Sequence, residues 1–443
     1  MEIAPRRRLA PSTRILIGLL IGAAAGTAMN LAWAPEDPKA PAETWAPAYR
    51  NAVWFADKVA HPAGQVFLRM LFMTVVPLVF CSLVLGVAGL GGKGRLGWIG
   101  VKVVAWFLGS TLLAVLLGLF LVNAVRPGDR MDPERAKEVR AMFDKEAAQK
   151  EAQAKAGSGF DVDTYVNIIP RNIVRAASDD RETLGVIFFA ILIGVAAARR
   201  PPETTRVFLE FLQTFYDLTV AVLGFAMKLA PYGVAGLIFA VTLKLGFDVM
   251  RALGAYLGVA IFGLLFHQFV VLGAAVALLV RLHPVRFFGR IRGLMATAFS
   301  TSSSNATLPT TIRTATDEFG VSPRLAGFVM PLGATMNMNG TALFEGVTVL
   351  FLAQVADVRL GLAAQAVVLL LSVLTAIGAA GVPGGSLPLL AVVLDRVGVE
   401  PGYLALILGV DRIVDMTRTV PNVCSDLIGC LWVARTEGEP IRS

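Results

Sequence analysis

The chain has 443 residues, 56% of them hydrophobic and only 16% charged, with a mean hydropathy of +0.67. Soluble domains carry roughly 25% charged residues, so this composition excludes an ordinary soluble globular protein and points to a lipid bilayer. The formal net charge of +8 is spread over short segments between apolar runs, which argues against a nucleic-acid-binding protein.

Six apolar runs come first, at 14–33, 51–90, 97–125, 166–198, 204–245 and 250–281. Each meets or exceeds the roughly 20 residues that a helix needs to cross a bilayer. The second and fifth are longer than that, which predicts tilt or kinks. The first run follows Arg6, Arg7, Arg8 and Arg14 and contains Ala23-Ala24-Ala25, which could mimic a signal-peptide cleavage site. Its length reads instead as a retained span. Basic residues recur in alternate loops, at Lys93, Arg95 and Lys102, at Arg199, Arg200 and Arg206, and at Arg281, Arg286, Arg290 and Arg292. That pattern places the N-terminus in the cytoplasm. The one long polar stretch, Arg126 to Asp163, is expected to be an external loop, partly helical and mobile.

Other chemistries find little support. Cys81, Cys424 and Cys430 lie in apolar runs and are odd in number, so no disulfide framework is indicated. Together with His61, His267 and His283 they show no metal-ligand spacing. No histidine lies near the serine cluster described next, so an intramembrane serine hydrolase lacks its base.

Beyond residue 287 the apolar segments are interrupted by small and polar residues. The interruptions are Ser300 to Pro309, Asn337-Met338-Asn339-Gly340-Thr341, Gly381 to Pro388, and Asp411 to Asp426. A cluster ending Thr-Leu-Pro precedes a broken apolar span, and a cluster ending Ser-Leu-Pro precedes a polar-striped one. Unpaired backbone groups are not tolerated against lipid, so such segments belong against protein or a water-filled cavity. Two hairpins, each followed by an interrupted or polar helix, are the signature of an inverted-repeat transporter. The bland alternative is a pair of small-residue packing faces in a helical bundle.

In the last run Asp411, Asp415, Arg418, Asn422 and Asp426 are spaced by 4, 3, 4 and 4 residues, which sets them on one helix face. Ionisable groups in a span are costly and face a cavity or a partner. Asp415 can take an ammonium group and Arg418 a carboxylate, so the two can hold the ends of an acidic amino acid. Asp426 can supply an anionic oxygen to sodium. The competing reading is a structural Asp415–Arg418 ion pair at i, i+3.

These residues resemble those of the dicarboxylate/amino acid:cation symporters, the family of the glutamate and aspartate transporters. The likeness covers nearly the whole chain. It is carried by Ser302 to Pro309, by Asn337 to Thr341, and by Asp415-Met416-Thr417-Arg418-Thr419 with Asn422 and Asp426. Asn167-Ile168-Ile169-Pro170 looks like the family's entry to the fourth span. The resemblance implies an all-α integral membrane fold of eight transmembrane helices and two re-entrant hairpins, arranged as inverted repeats with an elevator mechanism, in a homotrimer. Residues 1–97 and 166–245 would form the scaffold, 98–125 and 250–435 the transport domain, and 126–165 the extracytoplasmic loop. Short loops suggest a bacterial inner membrane, with both termini cytoplasmic.

Residue by residue, the resemblance assigns the substrate amino group to Asp415 and Asn422 and its side-chain carboxylate to Arg418. Thr341, Thr419, Ser303 and Ser304 would bind its carboxylates, and Val382 and Ser386 would cover it. One sodium site would use Gly333, Asn337, Asn422 and Asp426, and a second Thr335, Met338, Ile377 and Ala379. A third would involve Ser110 and Thr111, but Asn339 stands where the sodium-coupled pattern has aspartate, and Phe107 where it has tyrosine. That exchange removes charge balance for a buried cation and implies a weak or absent third site. Glu345 matches the family's proton-carrying glutamate, so sodium, protons or both can be the coupling ions; no other cofactor is expected. Glu345 as a hydrogen-bonded structural acid is the alternative. Pro421 departs from the pattern and is expected to kink the last span. A proton-coupled or C4-dicarboxylate carrier of the same family stays as the alternative, with an anion channel or an intramembrane enzyme more remote.

Overall fold

The computed structural model describes residues 11–35, 41–89, 95–131, 137, 140, 169–178, 183–245, 247–379 and 381–442. Asn167, Ile168, Lys93, Arg6 to Arg8 and most of the expected loop at 126–165 lie outside these residues. Among the described residues the regular structure is helical, with no strand.

The N-terminal half is built from α1 (Pro11–Trp33), α2 (Pro47–Phe55), α3 (His61–Phe72), α4 (Val75–Gly89), α5 (Arg95–Val125), α6 (Ile173–Ser178), α7 (Thr183–Ala198), α8 (Pro202–Leu245) and α9 (Phe247–Phe266). The long second run is irregular: a π turn at Ala56–Ala60 joins α2 to α3, and a turn at Met73 and Thr74 separates α3 from α4. The long fifth run is one 44-residue helix with Pro231 inside it. Beyond α9, π turns at His267–Val271 and Val276–Val280 flank the short α10 (Leu272–Ala275).

The C-terminal half follows as α11 (Pro284–Arg290), α12 (Arg292–Thr301), α13 (Ser304–Arg313), α14 (Pro323–Met336), α15 (Asn339–Val355), α16 (Leu362–Gly378), α17 (Leu387–Arg396) and α18 (Leu404–Thr436). Among the described residues six helical segments are long and apolar enough to cross a membrane: Thr13–Trp33, Pro47–Gly89, Trp98–Arg130, Pro202–Lys244, Arg251–Val280 and Pro323–Val355. Their outer faces carry large apolar side chains such as Phe208, Phe211, Phe215 and Leu218 of α8, all exposed. Such faces suit hydrocarbon rather than water. The chain is an integral membrane protein.

Two packing groups emerge. Helix α8 packs along α1, α3 and α4, and α4 along α7. Helix α15 packs along α5, α16 and α18, while α12 and α14 lie on α18. The groups meet where α4 touches α16 and α8 touches α18. Burial follows this layout: every residue of α15 except Gln354 is buried, as are most of α18. An all-round buried helix can be polar in places only where protein groups supply partners, and that is where the polar residues of the C-terminal half collect.

Candidate functional site

Two helix pairs, α12–α13 (the first hairpin) and α16–α17 (the second), meet near their turns. In the first, α12 ends at Ser302, a non-glycine residue with φ of 49°, and α13 starts after Ser303. Ser303 is the N-cap: its Oγ accepts the Ala306 N–H at 3.1 Å, which satisfies one of the free amides at a helix start. The same hydroxyl donates to the Gly381 carbonyl of the second hairpin at 2.5 Å, and the Asn305 N–H donates to that carbonyl at 3.1 Å. One carbonyl thus joins the two tips.

The chain is broken between α14 and α15. Asn337 and Met338 leave helical geometry, with φ/ψ of −118°/72° and −106°/60°. The amides at the start of α15 are capped from another helix. Asn422 Oδ1 of α18 accepts the Gly340 N–H at 2.7 Å and the Thr341 N–H at 3.3 Å, and Asn422 Nδ2 donates to Thr341 Oγ1 at 3.1 Å. Gly340 lies against the Arg418 carbonyl and the Pro421 ring, so close that a Cβ would collide with both. Helix α18 runs on through Pro421 without a break.

On α18 the polar stripe is buried as a whole: Asp411, Asp415, Arg418, Asn422 and Asp426 are each 2–6% exposed. Arg418 does bridge to Asp415, with Nε and Nη2 donating to Asp415 Oδ1 at 3.1 and 2.6 Å. Its guanidinium lies over the Phe344 ring at 4.3 Å, a cation–π contact, and its Nη1 is buried without a partner among the described residues. Asp415 Oδ2 accepts from Arg412 Nη1 at 2.9 Å and from the Gly384 N–H of the second hairpin at 3.3 Å.

Between these elements lies a small cavity of about 20 Å³. Its lining includes Ser304, Thr341, Val382, Ser386, Asp415, Arg418, Thr419 and Asn422, with Ser302, Met338, Ala379 and Gly381. The geometry therefore brings together eight of the residues expected to touch substrate. Ser303 is absent from the lining, its hydroxyl committed to Ala306 and Gly381. About 10–15 Å³ holds one water, so an amino acid fits only if the lining moves apart.

The residues expected around sodium lie beside this cavity. Asn337 Nδ2 donates to Asp426 Oδ1 at 2.8 Å, and Asn337 Oδ1 accepts from Ser110 Oγ at 3.3 Å. Gly333 faces the Asp426 carboxylate, which fits there because position 333 has no Cβ. Met338 and Ala379 line the cavity and Ile377 is half-buried nearby in sequence, whereas the Thr335 hydroxyl turns back to carbonyls of its own helix. Thr111 is buried, and Asn339 is fully buried with neither side-chain polar atom partnered among the described residues. Glu345 is fully buried; its Oε2 accepts from Thr375 Oγ1 at 2.6 Å and its Oε1 has no partner among the described residues. Among the described residues no group of three His, Cys, Asp or Glu gathers as a metal centre.

The model for the Sodium:dicarboxylate symporter family matches residues 12–436. The chain belongs to that family. The symporter is similar to the Proton/glutamate-aspartate symporter of Escherichia coli, with 33% identity over 390 residues, 87% of this chain and 86% of the relative. It is similar to the Proton/sodium-glutamate symport protein of Bacillus caldotenax, with 32% identity over 380 residues and 85% and 88% coverage. It is also 33% identical to the human Neutral amino acid transporter B(0) over 406 residues, 84% of this chain and 74% of that one. The protein is a transporter, not an enzyme.

Two members of the symporter's polar cluster escape a reading of the sequence. Arg412 has the 3-residue spacing to Asp415 that marks a helix-face pair, yet it sits beside Asp411 in a stripe already complete without it. Thr375, the partner of Glu345, lies in an apolar run where it is one of two hydroxyls, with Ser372.

Proposed function

We propose that the protein is a secondary active symporter of acidic amino acids, L-aspartate or L-glutamate, coupled to Na+, H+ or both. The observation that carries this reading is the cavity in which Asp415 and Arg418 face the hairpin residues Val382 and Ser386. A buried carboxylate and guanidinium side by side supply opposed charges for a zwitterion with an extra carboxylate. Arg418 Nη1, buried and unpartnered, is the donor left over for that carboxylate. Thr341, Thr419, Ser303 and Ser304 contribute hydroxyl and backbone groups, and Asn422 shares the amino group with Asp415.

The second hairpin is the gate in this reading. Entry requires Gly381 to Ser386 to withdraw, since the cavity holds about one water. The two packing groups support a division into a scaffold, 1–97 and 166–245, and a transport domain, 98–125 and 250–435, with 126–165 as an extracytoplasmic loop. Eight transmembrane helices, two re-entrant hairpins, inverted repeats, elevator motion, a homotrimer and an inner-membrane location with cytoplasmic termini complete the proposal.

Sodium is placed at Gly333, Asn337, Asn422 and Asp426, where an anionic oxygen meets amide and carbonyl oxygens, as a hard cation prefers. The second site, at Thr335, Met338, Ile377 and Ala379, rests on carbonyls near the cavity. At Ser110, Thr111 and Asn339 the amide brings no charge, so a third sodium is held weakly there if at all. Glu345 is the candidate proton carrier.

Purified protein in liposomes tests the reading, with labelled L-aspartate uptake measured under a sodium gradient alone and a proton gradient alone at clamped potential. Concentrative, saturable uptake under either supports it and identifies the ion. Uptake of succinate in place of either amino acid would favour a C4-dicarboxylate carrier. Failure of both amino acids under both gradients sinks the substrate assignment.

A further inference from the structure

Asp415 is held by two arginines, and only one of them lines the cavity. Arg418 belongs to the lining; Arg412 does not. The Arg412 and Asp415 side chains are 7% and 5% exposed, and their ion pair spans 2.9 Å. The two oxygens of Asp415 have separate partners. Oδ1 receives both donors of Arg418, while Oδ2 receives Arg412 and the Gly384 N–H of the second hairpin. Four donors fill the roughly four lone-pair positions of a carboxylate, so no ligand ammonium can approach Asp415 until one donor leaves.

We propose that Arg412 is a positioning residue that sets the selectivity of the site through Asp415; the inference rests on the acidic-amino-acid reading above. A substrate with a side-chain carboxylate draws Arg418 away, which vacates Oδ1 for the ammonium group. Oδ2 stays occupied, so the carboxylate keeps its charge balance and its direction. Without Arg412, Asp415 has Arg418 as its one close guanidinium, because the remaining donor to Oδ2 is the neutral Gly384 amide. Drawing Arg418 away would then leave the buried carboxylate with the ligand ammonium as its one close positive charge, which is less favourable than keeping Arg412 beside it. The penalty falls on substrates that must engage Arg418. A substrate without a side-chain carboxylate does not pull the Arg418 guanidinium away; its ammonium takes the place of one of the four donors while the short Arg418 Nη2 contact to Asp415 persists.

Binding of L-aspartate and of its isostere L-asparagine to full-length purified protein separates these roles, by direct titration and by competition at fixed sodium and pH. Arg412→Gln is expected to weaken aspartate about tenfold or more and asparagine by less than about threefold, so the ratio of the two affinities collapses toward one. Arg412→Lys restores charge but not the planar fork, and is expected to return the ratio most of the way to wild type. A purely structural Arg412 would weaken both ligands alike. Equal losses, unchanged ratios, or a ratio in Arg412→Lys no better than in the glutamine variant would overturn the proposal. If the glutamine variant does not fold, the lysine variant alone decides: its ratio must lie below wild type with both affinities measurable. Wild-type protein that binds neither aspartate nor glutamate removes the substrate reading itself, and that result precedes any variant.

Discussion

Asn422 caps a helix to which it does not belong: its Oδ1 accepts the Gly340 N–H at 2.7 Å across 82 residues of sequence. With Thr341 it closes two of the free amides at the start of α15. Asn422→Ala is expected to leave both buried donors unsatisfied and to cost roughly 1–3 kcal/mol. Asn422→Asp keeps the acceptor, loses the donor to Thr341 and adds a negative charge that the amides at the α15 N-terminus favour, so it should cost less. Thermal unfolding of the purified variants checks the order: Ala below Asp below wild type.

Gly340 sets the distance between α15 and α18. A methyl group there meets the Arg418 carbonyl and Pro421 ring, and backbone cannot step aside as a side chain can. Gly340→Ala is expected to destabilise by about 1–3 kcal/mol, the usual range for overpacking, and to weaken substrate binding because Arg418 moves with its carbonyl. A variant with wild-type melting temperature and affinity would show that the crossing is looser than described.

The shared Gly381 carbonyl acts as a latch between the hairpins. Ser303→Ala removes one of its two donors and the N-cap of α13, a loss of about 1 kcal/mol for the cap alone. The second hairpin should open more often. Cysteine placed at Ser386 reports this by thiol labelling, since Cys81, Cys424 and Cys430 are buried and give little background. Labelling of Ser386→Cys is expected to quicken severalfold when Ser303→Ala is added; an unchanged rate means the latch carries no weight.

Glu345 offers one bonded oxygen to Thr375 and one unpartnered oxygen to the interior. Glu345→Gln has the same shape and cannot carry a proton. If protons drive the symporter through this group, the variant should exchange substrate yet lose its response to a pH gradient. Retained proton-driven uptake would assign the proton elsewhere.

Asn339 is buried with both polar atoms idle, an arrangement that calls for an explanation. Asn339→Asp introduces the charge that a cation at Ser110, Thr111 and Asn339 would need. Sodium is expected to protect this variant against heat more steeply than it protects wild type, because a ligand bound only by the folded state stabilises it. Equal protection would mean that no cation enters there.

Much of this was legible in the sequence because membranes restrict what a chain can do. The apolar runs near 14–33 and 97–125 correspond closely to α1 and α5, as hydrocarbon leaves few alternatives to a helix. The polar stripe was legible from spacing alone: the steps from Asp411 to Asp426 follow the helical period, and α18 buries every member. The ion pair of Asp415 with Arg418, open as a structural alternative, is present, and it coexists with a cavity on its far side. The segment at 166–198 was less legible. Among the described residues it carries the helical stretches Ile173–Ser178 and Thr183–Ala198, and the sequence between them is charged in a way that hydropathy averages away. Contacts across long separations, such as Asn422 with Gly340 or Ser303 with Gly381, leave no trace in local pattern. Neither does the choice of Arg412 as a partner, which depends on side-chain direction rather than on residue type.

The small volume of the cavity ties the proposed gate to the solvent. A space of about 20 Å³ must widen to admit an amino acid, and polar walls such as Asp415, Ser386 and Thr341 fill with water as they part. Opening is therefore a hydration step, and the balance between open and closed forms follows the activity of water. Sucrose and similar osmolytes, excluded from protein surfaces, draw that water out and favour the narrow form of the cavity.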